Sequence, residues 1–409
     1  MNILLIDYAL PSSVFSGKTV RLKNIYGRLA KSSKIIFLRT AQPGEEKESK
    51  DLELWSKETF AQCLRMPALP AVKLADKIRT LLTLKPWFDI FSKYSDSVKD
   101  ITLNLRNICK EHAIDVVITF NLEVAQYGLL ASEFCPWIQD LGDSMILQMR
   151  RQSKKASSFK QSAALLWRLL RETRFEYDMV QKAASTIFVA EEDAALHRKV
   201  SFQIHIIPNG VDTDYFNPDI VNPIGSEIPY LVFTGHMNFP PNQDAAAHFA
   251  NNIFPMIQKK IPHLGFKIVG ADPTPEVLDL AKNDGVEVTG FVDDVRPYLR
   301  SAAAFVCPMR MGSGIKNKLL EAMAMNLPVV ASSLAVAGIE GFPRETIAVE
   351  DAPLRFAEKC VDFVVSKIST KRTTTQSRDF VQKQYSWGQA IGKYESLINK
   401  ALSAAEAKA

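Results

Sequence analysis

Short apolar runs recur along this chain, each followed by a longer stretch in which apolar residues return every three or four positions. In the first half the runs are NILLI, KIIFL, DVVITF and STIFVA. In the second half they are PYLVFTG, GFKIVG, VEVTGFV, AAAFVCP and LPVVAS. A run of four to eight apolar residues without alternation fits a strand covered on both faces, and a following period near 3.6 fits a helix laid across it. Strands alternating with helices predict an α/β protein with parallel sheets. The plan is completed once before IHIIPNGVDTDYFNP and repeated after it. Pro208, Asn209 and Gly210 punctuate the chain there, and Pro218 keeps a helix from starting early. The expected organisation is two similar domains, residues 1–207 and 208–384, with a closing helix over 385–409. Residues 45–94 read as largely helical and polar with scattered prolines, and carry no motif. The tail SAAEAKA is expected to fray.

Length agrees with two domains, because 409 residues exceed what one ordinary core holds. With 47% hydrophobic and 23% charged residues the composition is that of a soluble globular protein. No apolar run approaches the ~18 residues of a membrane span. Asp7 interrupts the apolar start MNILLIDYAL, which has no basic leader and so reads as a first buried strand and not a signal peptide. The expected location is the cytoplasm. The five cysteines are an odd number, dispersed and without a CxxC pair, so neither a disulfide framework nor a zinc site is encoded.

Charge is uneven. Residues 1–200 hold 30 Lys and Arg against 23 Asp and Glu, a net of +7, and the remainder holds 20 against 22. Within the basic half, residues 146–175 (ILQMRRQSKKASSFKQSAALLWRLLRETRF) carry eight basic residues and one acid, Glu172, interleaved with Leu165, Leu166, Trp167, Leu169 and Leu170. That mixture suits a helix lying on the anionic inner face of a membrane, and equally a solvated helix that packs its leucines on its own domain. Nucleic acid is not an expected partner, since the net charge is modest and no recognition motif accompanies it.

The most polar loop stands between two strand-like runs, in PMRMGSGIKNKLLEAMAMNLPVVAS, residues 308–332. In open parallel sheets ligands bind beyond the carboxyl ends of the strands. Glycines there let the backbone approach a ligand, the following helix offers unpaired N–H groups, and Lys316 or Lys318 adds full charge. The expected ligand is an anion, a phosphate above all, although a plain strand-to-helix turn with solvated lysines has the same composition. The loop is neither a P-loop nor a dinucleotide fingerprint.

Taken with IPNGVDTDYF, LVFTGHMNFPPN, VEVTGFVDDVRPYL and the terminal FVQKQYSWGQAIGKYESLI, the loop resembles the retaining glycosyltransferases of family four. Among them it is most similar to the sugar transferases of bacterial exopolysaccharide clusters. The motifs occur in the family's order and cover essentially the whole second half. In the first half the likeness rests on the initial strand and on FSGKTVRLKNIYGRLA. The resemblance implies a GT-B fold, two Rossmann-like doubly wound domains facing across a cleft, with the last helix returning to the first domain. It also implies a nucleotide-sugar donor, UDP- or GDP-linked, and no metal. A lipid-linked or polysaccharide acceptor at the inner membrane face would complete the reaction, with anomeric configuration retained.

The family pattern puts the ribose-binding carboxylate at Glu321, where two oxygens meet a diol. Eight residues earlier the family often has a second glutamate, and here that position is Ser313. Gly314, Ile315 and Lys316 follow it, with backbone amides for the sugar or diphosphate. After Gly235 many relatives carry an arginine and a lysine on the diphosphate, where this chain has His236, Met237 and Asn238. Lys316, Lys318 and Arg310 are the expected replacements, since a leaving diphosphate needs cations. Backbone groups at Phe291 and Val292 would hold the base. In the first domain Gly17, among Ser16, Lys18, Thr19 and Arg21, occupies the place of the glycine-rich loop. Asp140 and Asp143, in WIQDLGDSM, are expected at the cleft rim, past a strand end. There one of them would orient the acceptor hydroxyl or offset oxocarbenium-like charge, unless they serve as turn or cap residues. With Lys316 they are the catalytic candidates, and no nucleophile is assigned. Asp212-Thr213-Asp214 resembles a metal-binding DxD but lies in the junction segment. Among the six histidines only His236 falls in a motif. Two other readings stand beside a transferase: a nucleotide-sugar epimerase of the same fold, and a non-catalytic sugar-binding partner.

Overall fold

The computed structural model describes residues 1–8, 17–40, 50–66, 86, 89–153, 159–225, 228–312, 314–365 and 371–407. The chain forms two units, one of Met1–Pro208 with Ile391–Ala409 and one of Asn209–Ala390. The first is built on a parallel sheet of β1 Asn2–Asp7, β2 Lys34–Arg39, β3 Gln62–Arg65, β4 Val116–Phe120, β5 Trp137–Gly142, β6 Ser185–Phe188 and β7 Ile204–Ile206. Its strand order is β3-β2-β1-β4-β5-β6-β7. The second unit holds β8 Tyr230–Thr234, β9 Gly265–Val269, β10 Val286–Gly290, β11 Ala304–Cys307, β12 Val329–Ala331 and β13 Ile347–Val349. Their order is β10-β9-β8-β11-β12-β13, again all parallel. Each sheet therefore reverses its direction of growth once, between β1 and β4 and between β8 and β11, and those reversals are where such sheets bind ligands.

The apolar runs become strands because helices cover both faces of each sheet. Ile3, Leu4, Leu5 and Ile6 have no exposed surface, and burying each such side chain stabilises the fold by about 1.5–3 kcal/mol. Leu4, Ile6, Ile36 and Leu38 pack with Ile101, Leu105 and Tyr127 on one face of the first sheet. Trp137 and Phe188 pack with Phe175, Met179 and Val180. Gly128, in the middle of the helix Ala125–Ala131, makes room for Trp137, whose Nε1 would lie 2.1 Å from a Cβ at that position. In the second unit Phe233, Phe249, Phe254, Phe266 and Phe305 share one core, with the Phe249 and Phe266 rings 4.5 Å apart.

Several expectations need correction. WIQDLG does not follow a strand but is one, β5, and its polar Gln139 and Asp140 are interior residues with no exposure. The polar stretch 45–94 contributes the edge strand β3 as well as the helices Lys50–Thr59 and Ile90–Lys93, with 45–49, 67–85 and 87–88 outside the described residues. IHI of the junction pairs with β6 as β7.

The helix Phe159–Lys182 is fastened at its carboxyl half. Glu176, fully buried, accepts from Ser144 Oγ at 2.7 Å and Ile146 N at 3.1 Å and lies 2.8 Å from His197 Nε2. Glu172 is buried beside Arg168. The opposite side leaves Leu166, Trp167 and Leu170 exposed by 57, 45 and 57%. Among the described residues no helix is long and apolar enough to cross a membrane.

Candidate functional site

At the carboxyl end of β8 the chain turns through Gly235, His236 and Asn238 into the helix Pro240–His248. Past β11 it runs through Arg310 and the glycine loop into the helix Asn317–Ala324. Gly312 at φ 109° and Gly314 at φ 66° occupy backbone space that other residues avoid, which aims the loop back over the helix start. The residue at its start, Lys316, makes no side-chain cap hydrogen bond, and the first N–H groups and positive dipole end lie there. Asn326 at φ 58° takes the left-handed conformation that ends the helix. Ser313 lies outside the described residues.

Backbone hydrogen bonds tie the strand ends together. Gly235 N donates to Val269 O at 3.0 Å, Met237 N to Ala271 O at 2.8 Å, and Gly270 N to Gly290 O at 3.2 Å. The last of these brings the end of β10 into line, with exposed Phe291 and half-buried Val292 just beyond it. A Cβ on Gly270 would stand 1.8 Å from Gly235 O, so glycine is required for the loops to meet.

The candidate cations differ in how far they are already satisfied. Arg310 is neutralised by Asp244, with Nε 3.0 Å and NH2 2.5 Å from the carboxylate. His236 has both ring nitrogens engaged, Nδ1 2.6 Å from Asn238 Oδ1 and Nε2 3.1 Å from Asp272 Oδ2. Lys316, buried, donates to Gly314 O at 2.6 Å and so braces the loop from within. Lys318 reaches beneath Gly235, donates to Asn242 Oδ1 at 2.6 Å, and stands 4.3 Å above the Phe233 ring. It forms no ion pair with a described carboxylate. Desolvation drives its ammonium down to about 8, against the pull of nearby Cys307 and Glu321. Glu321, one turn further and only partly exposed, is pushed up by desolvation to about 7, with Lys318 opposing. A desolvated cation and a desolvated carboxyl poised near neutrality, at a sheet reversal, are the marks of a binding site.

Residues 228–365 match the family model described as glycosyl transferases group 1. Over that span, within the second unit, the chain is similar to the group 1 glycosyltransferases. Among solved structures the chain is similar to a glycosyltransferase from Rickettsia africae, at TM-score 0.67 and 14% identity over 98% of both chains. It is also similar to Anabaena HepE in complex with UDP-glucose, at TM-score 0.63 and 11% identity over 99% of this chain and all of that one. Those likenesses establish the GT-B fold. A curated Klebsiella pneumoniae relative, an uncharacterized 44.6 kDa protein in the cps region, is 20% identical over 163 residues. The match spans 38% of this chain and 42% of the relative.

The first unit's residues are arranged differently from expectation. Asp140 is not at a rim. It is interior to β5, and its carboxylate accepts from Arg21 Nε at 3.0 Å and NH2 at 3.2 Å, Gly142 N at 3.1 Å, Tyr26 Oη at 2.8 Å and Tyr394 Oη at 2.9 Å. A carboxylate with five donors and no exposure holds the core together and has no lone pair left for a substrate. Asp143, past the strand, is half-buried. Gly17 opens the helix Gly17–Arg21, and residues 9–16 before it are outside the described set. Its neighbours Lys18 and Arg21 are paired with Asp7 and Asp140. At the β1/β4 reversal, Asp7 Oδ1 takes hydrogen bonds from Lys18 at 3.0 Å, Tyr8 N at 2.7 Å and Asn121 Nδ2 at 3.3 Å, and burial raises its carboxyl above the usual range. Asp212 caps its own turn, with Oδ1 accepting from Asp214 N and Tyr215 N. Sequence reasoning passed over Asn242 and Asp244, whose signal was only the run PPNQD following the strand.

Proposed function

We propose that this chain transfers a sugar from a nucleotide-sugar donor, UDP- or GDP-linked, to a lipid-linked or polysaccharide acceptor, with retention and without a metal, in cell-surface polysaccharide synthesis. One observation carries the reading: a glycine loop, an uncapped helix start, Lys318 and Glu321 all stand at the β8/β11 reversal. In this reading Glu321 accepts the ribose hydroxyls. The helix N–H groups and Lys318 take up charge that grows on the leaving diphosphate, where donors already in place lower the barrier. Phe291 and Val292 hold the base by their backbone, Gly314 and Ile315 the sugar, and Asp143 is the acceptor-side carboxylate. A relative whose name places it in a cps region and a structural neighbour solved with UDP-glucose support the substrate class.

The test is a thermal-shift screen of the full chain against UDP, GDP, ADP and their sugar conjugates, without added metal. One nucleotide series should raise Tm by mass action. Glu321→Ala should weaken that nucleotide about 10- to 100-fold, the loss of hydrogen bonds to a charged acceptor, while leaving the fold intact. An unchanged shift in the variant would sink the site. Donor turnover to free nucleotide without isomerised sugar separates a transferase from an epimerase, and absence of any turnover favours the non-catalytic reading.

The exposed Leu166, Trp167 and Leu170, with exposed Arg168 and Arg174 beside them, support docking on the inner membrane face. Full-length protein should sediment with vesicles containing phosphatidylglycerol and not with phosphatidylcholine alone. Replacing the three apolar residues by glutamine should abolish this. Equal sedimentation with both vesicle types would remove the membrane from the proposal.

A further inference from the structure

We infer that Asn242 is a positioning residue for the diphosphate, holding Lys318 in place without neutralising it; the inference rests on the donor reading above and deepens it. Three elements meet at the point where the strands part. The Lys318 ammonium comes from the second residue of the helix Asn317–Ala324, Asn242 from the first turn of Pro240–His248, and Gly235 from the end of β8. A Cβ on Gly235 would lie 2.6 Å from Lys318 Nζ and 2.7 Å from Asn242 Nδ2, so glycine keeps the space in which they join.

Chemistry explains why an amide stands there. A lysine is a point charge on a flexible stem and must be aimed to be of use. A carboxylate aims a cation but cancels it, as Asp244 cancels Arg310. The Asn242 amide oxygen aims Lys318 at 2.6 Å and leaves its charge whole, while the amide nitrogen donates to His236 O at 2.8 Å. Asn242 is itself only 5% exposed. One side chain thus fixes both the cation and the loop after β8. The cation that a leaving diphosphate requires is supplied from the helix after β11, and no arginine or lysine is needed in HMNFPPN.

The test uses the full chain and measures Kd for UDP and GDP beside uridine and guanosine by calorimetry. Lys318→Met should weaken the diphosphate that binds by about 10- to 100-fold and spare its nucleoside. Asn242→Ala should also weaken only the diphosphate, at least about fivefold, and add nothing in the Lys318→Met background, since contacting residues couple. Asn242→Asp, which keeps the acceptor but lowers the net charge, should fall below wild type for the diphosphate alone. The inference is overturned if Asn242→Ala binds the diphosphate as wild type does, if it loses nucleoside and diphosphate alike, or if the two losses add. A wild-type chain that binds neither diphosphate removes the donor reading itself and the inference with it. Lys318→Met weakened alone leaves that reading standing.

Discussion

Glu321 sits on a helix that the sequence marks plainly, yet its consequence for stability comes from where the helix is buried. Its carboxyl titrates near 7 when folded and near 4.5 when free. Between those values the unfolded chain has released its proton while the folded chain still holds one, so stability falls as pH rises from about 4.5 to about 7. The nucleotide-free chain should lose part of its urea midpoint between pH 5 and pH 7, and Glu321→Gln, neutral throughout, should lose less. A variant with the wild-type slope would show that the carboxyl does not titrate in this range. Residues of this kind were legible as types, a carboxylate and lysines after a glycine loop. Which cation meets a carboxylate and which an amide was not, because Asp244 and Asn242 lie far from Arg310 and Lys318 in sequence and only the fold brings them close.

At the scale of the element, β5 shows how a strand can hide from its own pattern. The apolar run is broken by Gln139 and Asp140, which is why the stretch reads as a loop with rim carboxylates. Both are accommodated by neighbours distant in sequence: Gln139 Oε1 accepts from Thr119 Oγ1 at 2.7 Å, and Asp140 is met by Arg21, Tyr26 and Tyr394. Arg21→Met should therefore cost about 3–5 kcal/mol, since it leaves a buried carboxylate without its countercharge. Chemical denaturation measures this, and a loss under about 1 kcal/mol would mean that the tyrosines suffice.

On the scale of the molecule, residues Ile391–Ala409 group with the first unit although they follow the second in sequence. Tyr394 and Ile398 on that segment have no exposed surface, and the Tyr394 hydroxyl donates to Asp140 and lies 2.7 Å from that of Tyr26. Deleting 391–409 should destabilise the first unit selectively. Hydrogen exchange should quicken in β1, β4 and β5 while β8 and β11 keep their protection. Equal loosening of both sheets would show that the tail supports the whole chain and not one unit.

The sequence by itself determined the architecture, because parallel strands buried on both faces must be apolar throughout and the punctuation between them is local chemistry of glycine, proline and asparagine. It also determined the glycine loop and the helix of Glu321, since backbone conformation and helix period are written in neighbouring residues. Only the tertiary structure decided which polar groups are spent and which are left. Asp140 is consumed inside a core, Arg310 and His236 are held by aspartates, and Lys318 keeps its charge because its partner is an amide. Such outcomes depend on distances between residues that the chain separates by tens or hundreds of positions, and pairing across those gaps has no local signature.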